Sequence, residues 1–521
     1  MPNATMKVGV FSPNDPRPWV RGENLDLMLD HERSLIGVLR KKGIQVVRGG
    51  DGFSREDQIA WNTDLIRRQV SNIARERPDA LIINQGSWTF PYDSVDAVQW
   101  FQRETGDIAR VVVFSYKDTQ VPGLVAGMAA GGGLKRIGMP FALCYGIIDQ
   151  DPEAEDWLMS ILGFYGKRSA AADSVKDAIR ELRSKKYLAL GGMSLKMSTT
   201  TADVDQWQKL FGVTYEALDQ SELVLRAMKM VSWAGEPGEG EYEIVDPRVA
   251  DAVDYTYQQG HGSFDFSRDK LPDIAKFVLQ IALYYAAVDL CEQYNIDFAG
   301  VKCQDELSGR YCTACMVSAY LSNDVGPDGE RKSIVPVACE NDMDSAMTQL
   351  WLHLLSGKPA GFGDFRDVEN GHLVIANCGQ HPPYFFGPPE EDSVRKLDHV
   401  EYLGQEIFYD AGGSSVRGRT PGGETMTVAR LGRENLRYQL VATVMDTVDV
   451  DPDEHQLYDY SWPIIKGKVP MSDQHLIDIW PCNHLGFAYG DYLPHLVEMA
   501  HRLDIGYRVF DADGREYARP S

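Results

Sequence analysis

The chain has 521 residues, of which 52 are Lys or Arg and 76 are Asp or Glu, giving a formal net charge of −24. Such an excess of negative charge argues against nucleic acids and anionic membrane surfaces as main partners, because both would repel the protein. With 44% hydrophobic residues the chain can build ordinary cores, and its length predicts two to four domains. There is no uninterrupted apolar run of about 18 residues, so no membrane span is expected.

The N-terminal residues and the cysteines predict a cytoplasmic protein. Residues 1–7 lack a basic region followed by an apolar stretch, so we expect no secretion signal. The eight cysteines are scattered through apolar segments, which is typical of reduced and mostly buried thiols. Cys312 and Cys315 form a C-x-x-C pair, but a zinc site of this type would need a second pair. We therefore favour buried helix cysteines over a redox or zinc role.

The first region, residues 1–168, alternates predicted strands and helices. Strands are predicted at 7–11, 45–47, 80–83 and 111–114, with helices at 25–41 and 55–77. Alternation with short connections predicts a doubly wound parallel sheet. Trp88 follows the third strand, where its ring could stack against a sugar; packing beneath its own loop is an equally good interpretation.

The rest of the chain predicts a second α/β domain, residues 169–345, and a β-rich C-terminal domain, residues 346–521. Strands of the second domain are predicted at 187–190, 213–217, 298–302 and 334–338. After residue 355, short strand-like runs at 373–376, 425–430 and 440–443 are broken by glycine and proline. A last helix is predicted near 492–503, before Gly-Tyr-Arg-Val-Phe at 506–510. The predicted fold class is α/β, with two doubly wound parallel-sheet domains followed by a β-rich domain.

Glu340 lies at the predicted end of a buried strand in the second domain. A helix begins near Asp342, because apolar residues recur at helical spacing until Gly357. The carboxyl end of a strand in an α/β sheet is where such folds bind ligands. A helix N-terminus also favours an acidic residue for reasons unrelated to a ligand, so Glu340 has a structural interpretation as well.

Asp364, in a glycine-flanked strand, and His484, in Cys-Asn-His-Leu-Gly, are the other candidate ligands. Two carboxylates and one imidazole can hold a divalent metal ion and leave coordination positions open. Each residue has an alternative interpretation, Asp364 as a turn residue and His484 as a hydrogen-bonded core histidine. The glycines at 131–133 lack the dinucleotide fingerprint, and residues 163–168 lack the P-loop spacing, so no nucleotide cofactor is expected.

Several segments, taken together in their order along the chain, resemble the L-fucose isomerase family. They are Val-Gly-Val at 8–10, Asp-Pro-Arg at 15–17, Tyr-Leu-Ala-Leu-Gly-Gly-Met-Ser at 187–194, Gly-Val-Lys-Cys-Gln at 300–304, Cys-Glu-Asn-Asp at 339–342, Gly-Asp-Phe-Arg at 363–366, Gly-Gly-Ser-Ser at 412–415 and Asn-His at 483–484. The resemblance implies a metal-dependent enzyme that interconverts an aldose and its ketose through a cis-enediol, with an L-fucose- or D-arabinose-type sugar as substrate.

The resemblance also implies the roles of individual residues. Glu340 and Asp364 would be catalytic and, with His484, would bind Mn²⁺ or another divalent ion such as Mg²⁺ or Co²⁺. Arg17, Trp88 and Gln304 would contact the sugar, in a hexamer whose sites lie between subunits.

Two other functions stay open at this point. One is the same chemistry on an anionic sugar such as sulfoquinovose, for which the candidate contacts are Arg17, Arg21, Arg417 and Arg419. The other is a non-catalytic sugar-binding protein, which would not need Glu340, Asp364 and His484 together. The joint presence of these three residues favours the enzyme.

Overall fold

A computed structural model describes residues 5–118, 121–264, 274–405, 410–458 and 461–520. Contacts between residues divide the chain into two compact units, Met1–Ala172 and Asp173–Arg519. The further division of the second unit near residue 345 stays a prediction.

The first unit contains a parallel sheet covered by helices. Its described strands are β1 (Lys7–Phe11), β2 (Gln45–Arg48), β3 (Ala80–Gln85), β4 (Val111–Tyr116) and β5 (Phe141–Gly146). Its helices are α1 (Pro18–Lys41), α2 (Thr63–Arg75), α3 (Pro91–Thr105), α4 (Gly123–Arg136) and α5 (Pro152–Leu182), the last of which continues into the second unit. The strand order β2-β1-β3-β4-β5 confirms the predicted doubly wound topology.

The order of the strands reverses between β1 and β3, and ligands bind at such a point in doubly wound sheets. The loops that follow these two strands carry Arg17 and Trp88, so both predicted residues lie at the carboxyl edge of the first sheet.

The prediction of a helix at 55–77 was wrong in its first part. Asn62 accepts a hydrogen bond from the backbone N–H of Leu65, and this N-cap makes α2 begin at Thr63.

The second unit contains a parallel sheet, a larger and mostly antiparallel sheet, and two small sheets. Its described strands are β6 (Lys186–Leu190), β7 (Thr214–Leu218), β8 (Val231–Trp233), β9 (Tyr242–Ile244), β10 (Ser263–Phe264), β11 (Phe298–Val301), β12 (Val337–Cys339), β13 (Gly361–Glu369), β14 (His372–Ala376), β15 (Glu401–Gly404), β16 (Ser414–Arg417), β17 (Thr425–Glu434), β18 (Arg437–Thr447), β19 (Ile464–Lys468), β20 (His484–Tyr489), β21 (Gly506–Phe510) and β22 (Glu516–Arg519). Its helices are α6 (Val204–Phe211), α7 (Ser221–Met230), α8 (Pro247–Val253), α9 (Ile274–Tyr294), α10 (Glu306–Arg310), α11 (Cys315–Leu321), α12 (Met343–Ser356), α13 (Pro452–Tyr458), α14 (Asp473–Ile479) and α15 (Leu493–Arg502).

The two main sheets of this unit share helix α12. The parallel sheet has the order β12-β11-β6-β7, and the larger sheet has the order β17-β20-β13-β14-β19-β18-β21-β22. Because β18 also pairs with β17, six strands of the larger sheet close into a ring. Helix α12 packs against β11 and β12 on one side and against β17 and β20 on the other. The start of this helix is therefore held between the ends of strands from both sheets.

Helix α9 is long and apolar enough to cross a membrane by length and composition, although the sequence has no uninterrupted apolar run of that length. Of its most apolar window, 83% is buried inside the protein. A helix that is apolar all round and covered by neighbouring elements is typical of the core of a large globular protein. The support for the expectation of no membrane span is therefore the burial of α9 and not the composition of the sequence.

Candidate active site

Glu340 follows β12 at a sharp turn that leads into helix α12. Strand β12 pairs with β11 so that Cys339 lies opposite Val301. Glu340 and Asn341 then adopt φ values of 59° and 51°, a left-handed conformation that is uncommon for residues with a side chain. The Asn341 side chain holds this turn, since its Oδ1 accepts a hydrogen bond from the Tyr187 hydroxyl at 2.7 Å.

Gly300 on β11 allows this turn to approach the sheet. A Cβ atom at Gly300 would lie 2.1 Å from the Tyr187 hydroxyl oxygen and 2.6 Å from Asn341 Oδ1. We expect Gly300→Ala to lower the free energy of unfolding by about 1–3 kcal/mol, because overpacking a filled interior displaces its neighbours. Thermal melting measures this effect. Gly192→Ala is the matched control, since a Cβ atom there meets no atom within 4 Å, and equal melting of both variants would contradict the prediction.

Asp364 and His484 are brought together by strand pairing. They lie directly opposite each other on the antiparallel strands β13 and β20, so their side chains point to the same face of the sheet. Two amides hold the Asp364 carboxylate. Asn377 donates to Oδ2 at 2.9 Å, and Asn483 donates to Oδ1 at 3.3 Å.

The three predicted ligands meet around one nitrogen of the imidazole. His484 Nε2 lies 2.9 Å from Oε2 of Glu340 and 3.3 Å from Oδ1 of Asp364. The His484 side chain is 1% exposed and that of Glu340 is 11% exposed, whereas that of Asp364 is 26% exposed. The cluster is therefore buried on the side of His484 and opens toward solvent beside Asp364.

The second imidazole nitrogen contacts another carboxylate. His484 Nδ1 lies 2.6 Å from Oδ2 of Asp342, and Nη1 of Arg430 lies 2.8 Å from the same oxygen. Burial alone would lower the pKa of His484, but contacts with Asp342, Asp364 and Glu340 raise it well above its usual value. Burial would conversely raise the pKa of Asp342, but the charges of Arg430 and His484 hold it below its usual range.

The donor set fits a divalent metal ion. Glu340 Oε2 and His484 Nε2 are buried atoms that make no hydrogen bond, and such orphaned atoms are costly unless another partner satisfies them. Ligand atoms bound to one cation at about 2.1 Å lie about 3 Å from each other, close to the distances seen here. Within the described part of the chain, however, no group of three or more His, Cys, Asp or Glu side chains is arranged so that it could hold a metal ion. Binding an ion would therefore require these side chains to rearrange.

Comparisons with known proteins bear on the whole chain. A sequence model described as the first N-terminal domain of L-fucose isomerase matches residues 5–176. The L-fucose isomerase of Bacteroides thetaiotaomicron is 23% identical over 553 residues, covering 91% of this chain and 89% of that protein. That of Phocaeicola vulgatus is 22% identical over 593 residues, covering 99% and 95%. That of Escherichia coli O1:K1 / APEC is 22% identical over 475 residues, covering 78% of each. The chain is therefore similar to L-fucose isomerases over 78–99% of its length, and this similarity supports an aldose–ketose isomerase.

The similarity to L-fucose isomerases does not test the roles of the predicted site residues. Gln304 is buried and follows β11, the strand beside β12. Arg17 and Trp88 lie in the first unit, where Nε of Arg17 donates to Oδ1 of Asp15 at 2.9 Å and the Trp88 ring is partly buried. Whether Arg17 and Trp88 contact the sugar stays a prediction.

The sequence analysis missed the residues that support this cluster. They are Asn377, Asn483, Asp342 and Arg430. Two of them had a local signal, because Asn483 and Asp342 lie next to or near predicted ligands in the chain. Asn377 and Arg430 had none, since their contacts with the site depend on strand pairing.

Proposed function

We propose that this aldose–ketose isomerase uses a divalent cation, Mn²⁺ or else Mg²⁺ or Co²⁺, bound by Glu340, Asp364 and His484. The observation that carries the proposal is the meeting of these three side chains, which lie just after β12, within β13 and at the start of β20. When bound, the cation supplies positive charge that stabilises the anion developing on O1 and O2 of an open-chain sugar.

Glu340 is the residue to which we assign the carbon-bound proton. Its Oε2 is buried and makes no hydrogen bond of good geometry, although Nε2 of His484 lies 2.9 Å away, and we propose that this oxygen takes the proton from C2 of the aldose. Returning the same proton to C1 of the cis-enediol gives the ketose. Proton transfer by a positioned group contributes about 10²–10⁴-fold to the rate.

Asp364 has a different set of partners and therefore a different role. Both of its carboxylate oxygens accept hydrogen bonds from the amides of Asn377 and Asn483. These bonds orient the carboxylate. We assign to Asp364 the movement of hydroxyl protons between O1 and O2, at the solvent-facing side of the cluster.

The arginines that could bind an anionic sugar are mostly engaged elsewhere. Arg17 pairs with Asp15, and the guanidinium of Arg21 stacks over the Trp61 ring with its Cζ 3.9 Å from the centroid. These contacts favour a neutral sugar of the L-fucose or D-arabinose type over an anionic one.

The surroundings of the two C-terminal arginines also favour a neutral sugar. Arg417 is buried and pairs with Glu401. Arg419 is exposed and lines a cavity of about 370 Å³ together with Asp449 and Glu401. The acidic side chains in this cavity offset the positive charge of Arg419, so the cavity does not favour an anion.

The assembly and the remaining sugar contacts belong to the same proposal. We propose a cytoplasmic homo-hexamer in which Arg17, Trp88 and Gln304 contact the sugar. The support is the similarity to L-fucose isomerases, the position of Arg17 and Trp88 at the carboxyl edge of the first sheet, and that of Gln304 after β11.

A panel of aldoses incubated with the protein and followed by NMR tests the function. The panel contains L-fucose, D-arabinose and sulfoquinovose. We expect ketose to form from a neutral sugar when Mn²⁺ is added and not after treatment with a chelator. The Asp364→Asn variant is the control for contaminating isomerases. Conversion of none of the sugars with Mn²⁺, Mg²⁺ or Co²⁺, together with binding of a sugar, would instead support the non-catalytic function.

A further inference from the structure

Asp342 contacts His484 at Nδ1, the ring nitrogen that does not face Glu340 and Asp364. Both of its carboxylate oxygens accept hydrogen bonds from other groups of the protein. Its Oδ2 accepts hydrogen bonds from Nδ1 of His484 at 2.6 Å and from Nη1 of Arg430 at 2.8 Å. Its Oδ1 accepts a bond from the backbone N–H of Ser345 at 2.9 Å. The residue is 0% exposed, so no solvent competes for these oxygens.

We propose that Asp342 is a positioning residue that holds the proton of His484 on Nδ1, so that Nε2, which faces Glu340 and Asp364, is the nitrogen that binds the cation. The inference rests on the proposed metal-dependent function and adds to it the residue that decides which imidazole nitrogen binds the cation. The hydrogen bond made by one ring nitrogen sets the tautomer of a histidine and leaves the other nitrogen free to bind a metal.

The position of Asp342 is itself fixed by two elements. As the N-cap of helix α12 it bonds to the first turn of that helix, which packs against strands of both main sheets. Arg430 on β17 donates through Nη1 to Oδ2 of Asp342. It also donates through Nη2 to the backbone carbonyl of Thr199 at 2.9 Å. The Asp342 carboxylate therefore cannot rotate away from His484 without breaking bonds to Ser345 and Arg430.

The imidazole is held in its plane by packing as well. The Phe362 ring lies edge-on to it, with the ring centroids 4.8 Å apart. This contact limits tilting of the ring but does not distinguish between Nδ1 and Nε2. The bond to Asp342 makes that distinction, since an ionised carboxylate accepts a hydrogen bond from an N–H group and cannot donate one.

Asp344 provides a matched control on the same helix. It is buried like Asp342, with 2% exposure, and accepts a hydrogen bond from the Tyr438 hydroxyl at 2.8 Å. Its described partners, Tyr438 and Arg433, do not include His484. Changing Asp344 to asparagine therefore removes a comparable buried carboxylate without touching the imidazole.

The experiment measures Mn²⁺ binding by isothermal titration calorimetry on metal-free protein. We expect Asp342→Asn to weaken binding about 10–100-fold, the usual effect of removing a carboxylate behind a histidine ligand. Asparagine caps a helix as well as aspartate does, so α12 should persist, whereas its amide can donate to Nδ1 and move the imidazole proton to Nε2. Asp344→Asn should bind Mn²⁺ as the wild type does, and melting curves establish that each variant is folded.

Equal affinities of the wild type and Asp342→Asn would overturn this inference and leave the proposed function standing. A wild-type protein that binds no divalent cation would overturn both. A crystal structure of the Mn²⁺-loaded wild type gives a test that does not depend on the folding of a variant. We expect Nε2 of His484 on the metal and Nδ1 bonded to Asp342; an ion bound through Nδ1 would refute the inference.

Discussion

Replacing Glu340 with glutamine is expected to lower kcat/KM for the aldose by about 10³–10⁴-fold, near the upper end of the range for positioned proton-transfer groups. Glutamine has the same size and can occupy the same buried position, but it cannot accept the carbon-bound proton and is a weaker ligand for a divalent cation. Steady-state kinetics at saturating Mn²⁺ give the ratio, and melting curves should show a folded protein.

The matched control for this change is Glu369→Gln. Glu369 lies on β13, as Asp364 does, but at the exposed far end of that strand. This variant removes one negative charge from the same sheet without approaching the cluster, so its kcat/KM should equal that of the wild type. A Glu340→Gln protein that keeps more than about a tenth of the activity would exclude Glu340 as the proton carrier, because the loss would fall below the range for such groups.

Replacing Arg430 with methionine is expected to lower the free energy of unfolding by about 3–5 kcal/mol. The side chains of Arg430 and Asp342 are 1% and 0% exposed, so the change leaves a buried carboxylate without its cation. The guanidinium bond to the Thr199 carbonyl is lost as well. Chemical denaturation followed by circular dichroism measures the loss.

Two further variants identify the cause of that destabilisation. The double variant Arg430→Met/Asp342→Asn removes the uncompensated charge and should therefore be more stable than Arg430→Met alone. Arg508 pairs with Glu516 at the surface, and Arg508→Met should cost less than about 1 kcal/mol because exposed ion pairs contribute little. A double variant no more stable than the single one would show that lost packing, rather than buried charge, causes the effect.

The features that the sequence analysis predicted correctly depend on local chain chemistry. The strand predicted at 7–11 is β1 at the same bounds, because it is a short apolar run between turn residues. The end of α12 was also predicted, since Gly357 adopts the left-handed φ of 66° that stops a helix. The clustering of Glu340 with Asp364 and His484 was inferred from the family resemblance, not from these local patterns.

The features that it missed depend on contacts between distant segments. Strand β12 was predicted at 334–338, but it runs Val337–Cys339, since its bounds are set by pairing with β11. Asn377 reaches Asp364 because β14 pairs with β13, and no periodicity in the sequence gives the register of that pair. In the sequence, Arg430 cannot be told apart from the other residues of an alternating strand. Its burial against Asp342 depends on the closed ring of strands.

The register between β13 and β20 has a consequence for how this chain tolerates insertions and deletions. Four successive residue pairs, from Gly361 with Phe487 to Asp364 with His484, are in continuous register. The irregularity in β13 begins after Phe365, on its pairing with β14. Insertions or deletions near the β13–β14 hairpin can therefore be accommodated by this irregular part of the strand, without moving Asp364 relative to His484. A deletion within 361–364 would instead turn Asp364 to the opposite face of the sheet, away from the imidazole, even if every strand still formed.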